Sequence, residues 1–93
     1  HEAAEGLARL TGSNGEPDPL DSLFRRVLTR KPSEAEAKEY LAFYEAQRAR
    51  LVAGELKADT ILSPDKGPVT PELAAWAMVA RVLLNLNENI TRG

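Results

Sequence analysis

The sequence predicts an all-α fold, a small bundle of about four helices around an apolar C-terminal helix. Three observations carry this reading. Apolar residues recur with helical period in four segments and with strand period in none. Three of those segments open on a side chain suited to cap a helix: Asp18, Ser33 and Thr70. The last segment, PELAAWAMVARVLLNLNENI from Pro71 to about Ile90, is the most apolar part of the chain and holds its only Trp and Met. With 93 residues, 43% hydrophobic and 28% charged, the chain has ordinary globular composition and the length of one domain, residues 1–93.

The first helical segment is EAAEGLARL at residues 2–10, with Ala4, Leu7, Ala8 and, at its edge, Leu10 on one face and Gly6 weakening it. TGSNGEPDP at 11–19 has the composition of a turn-rich, mobile connection. The second helix is expected over 19–30. Asp18 caps it, Pro19 takes the first helical position, and Leu20, Leu23, Phe24, Val27 and Leu28 follow the i, i+3, i+4, i+7, i+8 rule. Pro32 is expected to stop it.

The third helix opens on SEAE, where Ser33 and Glu36 have capping-box spacing. It is expected to run to about Ala53 and to end on Gly54. Tyr40, Leu41, Phe43, Tyr44 and Leu51 are read as its apolar side, and Glu34 and Lys38 as an i, i+4 ion pair. Residues 55–62 are assigned a further short helix with Leu56, Ile61 and Leu62 facing in, and 63–70 a second turn-rich loop.

In the last helix, Thr70 is the expected N-cap, Pro71 the first position and Glu72 an acid at the positive end of the helix dipole. Arg81, Asn85, Glu88 and Arg92 fall on one narrow stripe, continued upward by Ala74 and Ala77. The rest of the circumference is apolar, as in a central helix wrapped by neighbours. Arg81 interrupts the apolar run, so the segment reads as a core helix and not as a membrane span.

Charge and residue types narrow the function classes. A net charge of −2 gives no basic excess for nucleic acid. With no Cys there is no disulfide, thiolate metal site or thiol nucleophile, and with His1 the sole His no His-based metal site or triad can form. GSNG at 12–15 lacks the Lys and the flanking strand of a phosphate loop. Glu34, Glu36 and Glu39 sit in a first helical turn, where capping and the dipole explain them better than acid–base work. No catalytic, cofactor-binding or metal-binding residue is assigned. The chain does not begin with Met and reads as an excised piece of a longer protein, which leaves the origin of His1 open.

Two stretches, LFRRVLTRKPSEAEAKEYLAFYEAQRARL at 23–51 and ELAAWAMVARVLLNLNENITR at 72–92, carry a family resemblance. The matching residues are Leu28, Arg30, Pro32, Ser33, Glu36, Ala75, Trp76, Ala80, Arg81, Leu83, Leu84, Asn85 and Glu88. Together they resemble the C-terminal part of a planctomycete-specific domain of unknown function (PSD family, cytochrome-c-associated). Asn89 departs from that pattern, which has Phe there. In the family the domain follows a planctomycete cytochrome c domain and a second uncharacterised domain in large exported proteins. The resemblance implies a periplasmic or cell-surface parent and no established activity. The haem-attachment motif C-x-x-C-H belongs to another domain and does not occur here.

Arg81, Asn85 and Glu88 rank first as an interaction or structural polar face, because they coincide with that motif; the plainer reading is a solvated stripe. Trp76 is read as a docking aromatic or, on so apolar a helix, as a core anchor. Arg25, Arg26, Arg30 and Lys31 could hold an anion, although helix C-termini attract cations anyway. Tyr40, Phe43 and Tyr44 could stack on a sugar, although most of that cluster should be core. The leading expectation is a non-catalytic helical module of a larger exported protein, serving interdomain packing or binding of a partner protein. The alternative is a helical accessory part of an enzyme, polysaccharide-related, whose catalytic residues lie outside this fragment. A third option is a homo-oligomerising bundle.

Overall fold

The computed structural model describes the backbone of residues 2–13 and 18–92 and the side chains of residues 3–11 and 18–86. Four helices form: α1 (Glu2–Ser13), α2 (Pro19–Leu28), α3 (Glu34–Ala53) and α4 (Pro71–Arg92), with 3₁₀ turns at Ala58–Thr60 and Pro64–Lys66. No strand occurs among the described residues, and α4 packs against each of the other three helices. The fold is the all-α bundle with a central C-terminal helix.

The predicted caps are all made. The Asp18 carboxylate accepts from the Asp21 N–H at 3.2 Å, Ser33 and Glu36 form the reciprocal capping box, and the Thr70 hydroxyl accepts from the Leu73 N–H at 3.1 Å. Each satisfies helix-end N–H groups that have no partner within the helix. Gly54 ends α3 in the left-handed region at φ 86°.

Several expectations are corrected, among them the inward placement of Leu10, which is 42% exposed. α1 continues through Thr11 to Ser13 instead of ending at Leu10; Thr11 is fully buried and its hydroxyl donates to the Leu7 and Ala8 carbonyls, so it belongs to the helix. Of the connection expected at 11–19, residues 14–17 lie outside the described ones, as does His1. α2 ends at Leu28, before Pro32 can act, because Thr29 turns left-handed at φ 59° and its N–H donates to the Arg25 carbonyl. Residues 55–62 hold one 3₁₀ turn instead of an α-helix, although Leu62 is buried as expected and Leu56 and Ile61 pack beside it. Leu41 is 45% exposed; it sits about 80° round α3 from the line of Tyr40, Tyr44 and Leu51 that faces the core.

The core is built from Leu20, Leu23, Phe24, Tyr44, Leu51, Leu62, Val79, Leu83 and a set of alanines. Ala4 and Ala8 of α1 and Ala74, Ala75, Ala77 and Ala80 of α4 are all buried. Small side chains on both helices let their backbones approach closely. Ala74 and Ala77 therefore do not continue the polar stripe toward solvent: both are buried, and Ala77 lines a recess together with Ala4 and Glu5 of α1. Toward its C-terminal end α4 is less enclosed, with Val82 at 37% exposure where the sequence suggested core.

Candidate functional site

Along α4, Arg81 is the first exposed residue of the stripe. It and Asn85 are exposed, and the Glu88 side chain lies outside the described residues. Arg81 stands on the rim of a recess of about 90 Å³ at the seam of α1, α4 and the first 3₁₀ turn. Ala4 and Glu5 line it from α1, Thr60 and Ile61 from the turn, and Ala77 and Met78 from α4. The walls are mostly apolar, and Arg81 supplies a cation at the mouth. Such a recess accommodates one small side chain, with Arg81 placed to meet a carboxylate beside it.

Glu5, which lines the recess, belongs to a polar latch that sequence reading missed. Glu5 is 4% exposed. Its Oε2 accepts from the Arg9 Nε at 3.0 Å and the Ser63 N–H at 2.7 Å, and its Oε1 accepts from the Ser63 hydroxyl at 3.1 Å. Arg9 in turn donates to the carbonyls of Ser63 at 2.9 Å and Pro68 at 2.6 Å. The pair thus ties residues 63–68 down onto α1. The Ser63 N–H, with Arg9 and the Ser63 hydroxyl, lowers the Glu5 carboxyl below its ordinary value against the opposing effect of burial. The i, i+4 spacing of Glu5 and Arg9 was visible; their partners, more than fifty residues away, were not.

Gly67 closes this latch. Its φ of 145° lies where glycine is favoured, and a Cβ there would stand 3.0 Å from the Arg9 Nη1. Gly67→Ala is therefore expected to destabilise the chain by about 1–3 kcal/mol, measured by urea unfolding. Unchanged stability would show that the 63–68 loop accepts another backbone geometry.

The remaining candidates have structural partners. Trp76 is 9% exposed and stacks on Tyr44 with centroids 4.0 Å apart, joining α4 to α3 as an anchor and leaving no broad face for docking. Tyr40 meets Phe24 edge to face at 5.4 Å, and Phe43 is half-buried. Burial raises the phenol pKa of both Tyr40 and Tyr44. Three of the four basic residues at 25–31 have partners within the fold: Arg25 pairs with Asp21 at 3.0 Å, Arg26 bonds Ser22 and Arg30 grips Glu36 through two hydrogen bonds of 2.7 and 2.8 Å. Arg30 also lies 5.5 Å from the centroid of the Phe24 ring. Among the described residues no three His, Cys, Asp or Glu side chains converge as metal ligands.

The Arg30–Glu36 clasp has a pH signature. Arg30, then the Ser33 N–H, hold the Glu36 carboxyl down from the ordinary 4.5 to about 2. A depressed folded-state pKa contributes stability that is present above the unfolded value and lost as pH falls through the folded one. The chain should therefore lose stability between 4.5 and about 2, with Glu5 adding in the same direction. Melting temperatures followed through that range check this, and Glu36→Gln should flatten the decline. An unchanged slope in the variant would remove Glu36 as its cause.

No family model, curated protein or solved structure matches this chain. No helix among the described residues is long and apolar enough to cross a membrane.

Proposed function

We propose that the chain is a non-catalytic helical module of a larger exported multidomain protein, docking a neighbouring domain or a partner protein through the exposed end of α4. One observation supports this most directly. Arg81 is exposed where it lines an apolar recess, and Asn85 is exposed one turn further along α4, while the charges nearby, Glu5 and Arg9, are committed to holding the 63–68 loop. An exposed cation at a small apolar hole, with an exposed amide one helical turn away, suits polypeptide docking, where one side chain enters the hole and hydrogen bonds fix its direction. The resemblance of the α4 motif to the planctomycete-specific domain supports the multidomain, exported setting of the same reading.

The test separates docking from stability. Asn85→Ala should leave the unfolding free energy within about 0.5 kcal/mol of the parent value, as an exposed substitution does. It should weaken association with the remainder of the full-length protein by about fivefold or more, measured by calorimetric titration of the separately produced parts. Loss of a turnover of the full-length protein with association intact would make the site chemical and end the proposal.

A further inference from the structure

The outer face of α3 is not accounted for by the bundle. Leu41 at 45% exposure and Val52 at 63% are two of the four large apolar side chains left exposed among the described residues. Beside them Ala35, Ala42, Ala46 and Ala49 are exposed, and Leu41 borders an open, largely apolar depression of about 480 Å³ that Glu34, Ala35, Ala37 and Lys38 also line.

The charges along this face have an order. Glu34, Lys38, Glu45 and Arg48 read minus, plus, minus, plus along the helix. At 100° per residue all four fall within about 80° of one another, on the flank that also carries Leu41 and Val52. Glu34 and Arg48 lie seven residues either side of Leu41, and Lys38 and Glu45 lie three and four residues either side of it. Reversed end for end about Leu41, the row reads plus, minus, plus, minus.

We infer that α3 is a self-association surface on which a second copy of this chain packs antiparallel, the twofold axis passing between Leu41 and Ala42. A twofold perpendicular to the plane of the two helices sets each flank against the same flank of the partner. Glu34 then faces Arg48 of the partner subunit, and Lys38 faces Glu45 of the partner subunit, with an axial offset of no more than about 1.5 Å. Each pair occurs twice. Leu41 meets its own symmetry mate at the axis, and the exposed alanines let the backbones approach. Arg48 already bonds Glu45 within its own chain at 3.2 Å and reaches Glu72 of α4 at 3.8 Å, so the four charges of the row join an alternating network that α4 extends. A parallel pair would set like charge against like, which selects the antiparallel arrangement. This charge register is what commits the face to a second copy of the chain.

The 93-residue chain tests this directly, since it carries no cysteine. Sedimentation equilibrium near ~0.2 mM protein should show a monomer–dimer mixture at about 0.05 M salt that shifts to monomer at about 0.5 M. Lys38→Glu should weaken the dimer by about tenfold, and adding Glu45→Lys should restore it. Leu41→Cys should form a disulfide-linked dimer under mild oxidation faster than the exposed control Val82→Cys, with circular dichroism showing each variant folded. A chain that stays monomeric at low salt, a Lys38→Glu variant that associates like the parent, or equal crosslinking of the two cysteine variants would each overturn the inference.

Discussion

Replacing Trp76 by Ala is expected to lower the unfolding free energy by about 3–5 kcal/mol. A chain of this size has a total stability of about 5–10 kcal/mol, so the variant should sit near the edge of folding. Trp76 is the largest side chain at the contact of α3 with α4, and its ring stacks on Tyr44 with the planes 21° apart. Removing it opens a cavity between two long helices that pack along each other, where backbone collapse on one side opens a gap on the other. Trp76→Phe keeps most of the volume and a stacking ring, so it should cost less than about 2 kcal/mol. Urea unfolding followed by far-ultraviolet circular dichroism measures both, because indole fluorescence is lost with the residue. A Trp76→Ala loss below about 1 kcal/mol would mean that the ring is not an anchor and would reopen Trp76 as a docking residue.

What the sequence made legible divides by range. Asp18, Ser33 and Thr70 were read correctly as caps because a cap is settled within three residues, by a side-chain oxygen and the N–H groups just ahead of it. Gly54 belongs to the same class. α2 showed its buried face clearly in Leu20, Leu23 and Phe24. Errors arose where residue type and simple spacing rules do not decide. Thr29 takes the left-handed conformation that sequence rules reserve mainly for glycine and asparagine, so α2 stops before Pro32 is reached. Residues 55–62 show apolar spacing that fits a helix, yet only the 3₁₀ turn at Ala58–Thr60 forms there, with Leu62 buried in the core and the Ser63 N–H donating to Glu5. Leu41 was placed inward by residue type, although its angular position on α3 argued otherwise.

The candidate site follows the same division. Residue type and helical angle place Arg81 and Asn85 on one stripe, and both side chains are exposed. That stripe was drawn too long, because alanine has no sidedness of its own and only the arrival of α1 decides that Ala74 and Ala77 are interior. The recess at Arg81 could not have been anticipated, since three separate segments enclose it. Glu5 and Arg9 were passed over for a related reason. A surface i, i+4 ion pair is worth little, and only the loop carbonyls of Ser63 and Pro68 turn this one into a tertiary clasp.

Phe24→Ala should match the Trp76 variant, at about 3–5 kcal/mol, for a different structural reason. Phe24 has no exposed surface and lies where the C-terminal half of α2 meets the start of α3. Its ring meets Tyr40 edge to face, the planes 82° apart, and carries the Arg30 guanidinium above it. Arg30 holds that position while clasping Glu36, so one side chain joins the aromatic pair to the α3 capping box. Truncating Phe24 therefore removes packing and also the surface on which Arg30 rests, and the acid-labile clasp should weaken with it. Phe24→Leu retains apolar volume without the ring and should cost less than about 2 kcal/mol. If the clasp depends on the ring, Phe24→Leu should also show a shallower decline of melting temperature in acid than the parent chain. A leucine variant that keeps the parent's acid profile would mean that Arg30 is positioned by Glu36 and the Lys31 carbonyl alone, and that the ring contributes to the core but not to the clasp.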